Sequence, residues 1–118
     1  MALQVPAYIL RPFGLTLLAL TVPSDRNVQA WVCSELGGMG YHGGPRMQTL
    51  IALSGGIHAS IRAMHNHLGD PALLKTCGQG LGGIIVYNRI ACRVSASAGG
   101  IEAVAAAIRR HPADKTVM

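Results

Sequence analysis

The chain has 118 residues and a formal net charge of +5, enough for one small domain with a modest core. Half of its residues are hydrophobic but only 4% are aromatic, so Ala, Leu, Ile, Val and Met must supply the packing. The bases are scattered singly apart from Arg109 and Arg110, which argues against nucleic acid and leaves an acidic partner as the implication of the charge.

In chain order, the first candidate element is "PFGLTLLALTV", an apolar run after Arg11 that is too short to span a bilayer. It reads as a core helix. A secretory signal over residues 1–30, ending at "VQA", is the minority reading. Asp25 then stands where an N-cap carboxylate takes up free amides, and Val28, Val32, Leu36 and Met39 follow as one helical stripe. A shorter helix is predicted over "RMQTLIAL". The Gly55-Gly56 pair breaks the chain before a helix with Ile57, Ile61 and Met64 on one face. Asp70 and Pro71 open the next helix, with Leu73, Cys77, Leu81 and Ile84 as its stripe. "RIACRVSAS" is the second short helix, Gly99-Gly100 the second break, and Ile101, Val104, Ala105 and Ile108 the last stripe. The fold class is therefore all-α. With 15 glycines and 13% charged residues, its stability is expected to be marginal.

The order of these elements is a repeat. "SGGIHASIRAMHNH" (54 to 67) returns as "AGGIEAVAAAIRRH" (98 to 111), 44 residues on. "DRNVQAWVCSELGGM" (25 to 39) returns as "DPALLKTCGQGLGGI" (70 to 84), 45 residues on. The single domain, 1–118, divides into the end of a preceding repeat (1–24), two repeats (25–68 and 69–112) and the start of a further one (113–118). Extended backward by 44 residues, the period puts Phe13, Leu17 and Leu20 in the places of Ile57, Ile61 and Met64.

Units of this length, with a Gly-Gly-Ile break opening one helix and a second helix of the form V-Q-x-x-x-C-x-x-L, resemble the armadillo repeat family over about residues 13 to 118. The resemblance implies a right-handed α-solenoid of about two and a half three-helix repeats. It also implies a groove, lined by the third helix of each repeat, that binds a partner protein or an extended peptide. The family's groove helix carries W-A-L-x-N; here the Asn positions hold Gly38 and Gly83, and the Trp positions hold Ser34 and Gln79. Helical spacing sets Trp31, Ser34 and Gly38 on one line, matched by Thr76, Gln79 and Gly83. With Lys75 these are the candidate partner-binding residues, and the expected partner is acidic. Trp31 as an ordinary core residue is the competing reading.

The rival function is a nucleotide-binding enzyme that uses Gly78-x-Gly80-x-x-Gly83 as a phosphate cradle, with Glu102 about 20 residues on for a ribose. That requires a strand before the glycines and a helix after them, whereas "PALLKT" continues a helical stripe from Asp70. No nucleophile, base and orienting group are legible together, so no catalytic residue, cofactor or metal site is expected. His65 and His67 lack the spacing of helix-face ligands, and His67 matches His111 as a helix-end histidine. Cys33, Cys77 and Cys92 form no C-x-x-C pair and read as small buried hydrophobes in a reducing, cytoplasmic or nuclear compartment. A membrane partner is not expected. The open ends Phe13/Leu17/Leu20 and Ile101/Val104/Ile108 should meet further repeats or self-associate.

Overall fold

Six helices account for the secondary structure of the computed structural model, which describes residues 7–113: α1 (Ala7–Thr21), α2 (Arg26–Leu53), α3 (Gly56–Asn66), α4 (Pro71–Ile85), α5 (Arg89–Ala98) and α6 (Gly100–Arg110). The all-α class follows. The predicted further unit at residues 114–118 lies outside the described residues.

Local chemistry places the boundaries where the sequence signals them. Asp25 accepts hydrogen bonds from the Asn27 and Val28 amides, and Asp70 from that of Leu73, with Pro71 in the first turn of α4. Asn88 caps α5 by accepting from Ala91 N at 2.9 Å. The Gly pairs separate α2 from α3 and α5 from α6, as expected. The helix predicted from Asp25 and the short helix after it both form within α2, joined by a kink at Gly44 (φ 76°, ψ −168°), where the backbone is not helical, before Pro45. In the next repeat the equivalent bend separates α4 from α5 and falls on Tyr87, a residue other than glycine held at φ 54°.

The core runs through all six helices and is fullest between α2 and α4. Val32, Leu36, Leu73, Cys77, Leu81 and Ile84 are all buried, so both predicted stripes do face inward. A methyl group on Gly37 or Gly80 would overlap backbone of the opposite helix, and one on Gly83 would come within 2.6 Å of Gly37 O. The two helices therefore touch backbone to backbone, which only glycine permits. Two corrections follow from this contact. Gly78, Gly80 and Gly83 lie in the interior of α4, and the element before it is the helix α3, so the strand-turn-helix geometry of a phosphate cradle is not formed around them. Cys33 and Cys77 are not separate hydrophobes: the close approach leaves their Cα atoms 4.9 Å apart and they form a disulfide. The cysteine argument for a reducing compartment falls with it. Cys92 is free and exposed.

Residues about one repeat apart touch at several points between Pro23 and His111. Arg26 pairs with Asp70, and Asn88 Nδ2 donates to Pro45 O at 3.0 Å. His67 Nε2 donates to Pro23 O at 3.0 Å and His111 Nε2 to Leu68 O at 2.6 Å. Both histidines are helix C-caps, as their matched positions suggested, and each also ties its helix to the turn one repeat earlier. Arg26 holds the Asp70 carboxyl below the usual carboxylate range, chiefly by hydrogen bonding.

The backward extension of the period is off by one residue. Thr21 and Asn66 each end a helix four residues before a capping aspartate, a spacing of 45, so Pro12, Thr16 and Ala19 are the equivalents of Ile57, Ile61 and Met64. Those three are buried with Leu15, and Phe13, Leu17 and Leu20 point away from the core. In α6 the buried side is Gly100, Ala103 and Ala107, whereas Ile101 is 72% exposed and Val104 and Ile108 are also exposed. Both ends expected to be open are apolar and uncovered among the described residues.

Candidate functional site

The α2–α4 contact buries one side of each helix and leaves their outer sides diverging around an open depression of about 570 Å³. Ser34, Gly38, Tyr41 and His42 line it from α2, and Thr76, Gln79, Gly82 and Gly83 from α4. Five of the seven candidate partner-binding residues thus converge. The other two, Trp31 and Lys75, are exposed but do not line it; Trp31 stands one turn before Ser34, and Lys75 adjoins Thr76.

Each element has a reason to present these groups. The Cys33–Cys77 bridge and the touching glycines fix the separation of the helices, so the floor of the depression is largely backbone. Buried Gln48 pins its far end by donating to Gly83 O at 3.1 Å and Val86 O at 2.9 Å. The glycines divide into two kinds. Gly37, Gly40, Gly80 and Gly83 are required by packing, whereas a methyl on Gly38, Gly78 or Gly82 would meet nothing within 4 Å. Helix interiors disfavour glycine by about 1 kcal/mol relative to alanine, and packing does not explain the open ones. Gly38 and Gly82 bare the backbone on the surface of the depression.

Trp31 is 49% exposed, which removes the reading of it as a core residue. Tyr41 is 67% exposed and meets His42 edge to face, with ring centroids 5.2 Å apart. Neither Tyr41 nor His42 was singled out in the sequence. The signal for Tyr41 was available, since the line Trp31, Ser34, Gly38 continues at Tyr41 with the same alternation of three and four residues. Around the depression, then, stand hydroxyl and amide groups from Ser34, Thr76 and Gln79, two exposed aromatic rings, and the cation of Lys75. Such a set can hydrogen-bond an extended backbone and hold an apolar side chain.

No family model, curated protein or solved structure matches the chain.

Proposed function

We propose that the chain is a non-enzymatic interaction module, an armadillo-like α-solenoid of about two and a half repeats that binds an acidic, extended segment of a partner protein. The carrying observation is the convergence of Ser34, Gly38, Thr76, Gln79 and Gly83 on one depression between two helices of equivalent repeat position. Contacts between residues one repeat apart support the side-by-side stacking on which such a groove depends. In place of the family's Asn and Trp ladders, recognition falls to bare backbone at Gly38 and Gly82, the polar groups of Ser34, Thr76 and Gln79, and the rings of Trp31 and Tyr41. Exposed aromatics are the usual energetic anchors of an interface. Lys75, exposed beside Thr76, and the net charge of +5 favour acidic residues in the partner and make the encounter rate fall with salt.

The test exploits the open glycines. A library of random peptides displayed on phage is selected against the chain, and selected peptides are measured against Gly38→Leu and Gly82→Leu, two lining positions where an added Cβ meets nothing within 4 Å. Acidic peptides that lose affinity for both variants and keep it for Leu53→Ala, a change elsewhere on the surface, are the expected result. Binders indifferent to both glycine substitutions would refute the site.

A further inference from the structure

Eight of the fourteen exposed large hydrophobics among the described residues lie on α1 and α6, so the apolar surface is concentrated at these two helices. On α1 it forms a distinct pattern. Leu10, Phe13, Leu17 and Leu20 recur at i, i+3, i+7 and i+10, with exposures of 53, 51, 62 and 46%. They make a full stripe on the side opposite the buried Leu15 and Ala19. A helix packed on one side is expected to be polar on the other, and α3 obeys that rule: the positions 45 residues beyond Phe13, Leu17 and Leu20 are His58, Arg62 and His65, all exposed. In α6 the next equivalents are Glu102, Ala106 and Arg109, followed by Arg110. One layer of the molecule thus carries an apolar stripe on α1 and, beside it, a predominantly cationic strip on α3 and α6. The stripe carries no charge of its own, and Arg11, the one charged residue of α1, is paired with Glu35.

The chemistry of this face selects its occupant. A second copy docked through the same face sets the Arg62 and Arg109 strips opposite one another if the two-fold axis crosses α1, and leaves those cations without a counter-charge if the axis runs along it. Among the described residues no single helix is long and apolar enough to cross a membrane, and the described part of α1 has 15 residues. An anionic bilayer supplies both complements at once: an acyl boundary deep enough for one helix face, and negative headgroups for the flanking cations. We propose that the chain docks on anionic lipid surfaces through this layer, with Phe13 and Leu17 in the acyl boundary and Arg62 and Arg109 at the phosphates. The proposal uses helices outside the α2–α4 depression and stands or falls independently of it.

The test is co-sedimentation of the full chain with vesicles of phosphatidylcholine alone, or of equal parts phosphatidylcholine and phosphatidylserine. Circular dichroism verifies that each variant is folded. Binding to the mixed vesicles only is expected, lost in Leu17→Glu, weakened about fivefold in Arg62→Ala, and unchanged in Leu53→Glu, an exposed leucine off the stripe. Should Leu17→Glu perturb the fold, Phe13→Ser repeats the test at a second exposed position. The proposal is overturned if the wild-type chain ignores the mixed vesicles, or if Leu17→Glu binds them as well as wild type. It is also overturned if ultracentrifugation without lipid shows a dimer that Leu17→Glu dissolves, which would assign the stripe to a second copy.

Discussion

Replacing each glycine of the "CGQGLGG" segment by alanine should give opposite signs within one helix. Alanine is favoured over glycine in a helix interior by about 1 kcal/mol. At Gly78 and Gly82 the new methyl meets nothing within 4 Å, so that gain is realised and the protein is stabilised by about 1 kcal/mol. At Gly83 the methyl would sit 2.6 Å from Gly37 O, when ordinary contact begins at 3.4 Å, so the helices must part by about 0.8 Å. At Gly80 the overlap with Cys33 backbone is worse, and the neighbouring disulfide prevents the helices from separating freely. Overpacking of this kind costs about 1–3 kcal/mol or more. Against the same propensity gain, Gly80→Ala should lose about 2 kcal/mol net, and Gly83→Ala somewhat less. Thermal unfolding followed by circular dichroism reads the difference: roughly 4 °C upward for Gly82→Ala and roughly 8 °C downward for Gly80→Ala. If Gly80→Ala raised the midpoint as Gly82→Ala does, the backbone contact between α2 and α4 would be wrong.

Three further outcomes are expected. The Cys33–Cys77 bridge closes a loop of 44 residues, which loop entropy values at about 4 kcal/mol; Cys33→Ala/Cys77→Ala should lower urea stability by up to that amount, and thiol labelling of the unreduced native chain should modify Cys92 alone. Tyr87→Gly should stabilise by about 1 kcal/mol, since it relieves a left-handed tyrosine at the position where the preceding repeat has Gly44; an unchanged or lower urea midpoint would refute the strain. Asp70 titrates below its unfolded value, so the unfolded chain binds more protons and the pair with Arg26 contributes stability above about pH 4 that is lost on acidification; Asp70→Asn should flatten the fall in stability between about pH 5 and pH 3, and an unchanged slope would show that the pair is not made in solution.

Much of the fold was legible because its signals are local. Asp25 and Asp70 accept from amides within a turn of themselves, Pro71 suits a first turn because it has no N–H to leave unpaired, and the stripes of α2, α3 and α4 recur at helical spacing whatever they pack against. The convergence of Ser34, Gly38, Thr76, Gln79 and Gly83 was legible for the same reason, since two matched lines on adjacent equivalent helices share one side. Two of the misses involve relations between repeats. Cys33, Cys77 and Cys92 were read by local C-x-x-C spacing, which carries no signal for a pair 44 residues apart that meets only across the α2–α4 contact. The register of α1 slipped by one because α1 contains no Gly-Gly-Ile break to anchor it, and the error sent Phe13, Leu17 and Leu20 to core positions they do not occupy. Tyr41 lies just past Met39, where the matched block stops, and Tyr87 reveals its left-handed backbone only in three dimensions.

Backbone amide shifts mapped by nuclear magnetic resonance during titration with a selected acidic peptide test the binding account most directly. It predicts perturbations centred on Ser34, Gly38, Tyr41, Thr76, Gln79 and Gly83, weakening as salt is added. Perturbations confined to α1, α5 or α6, with α2 and α4 silent, would contradict it.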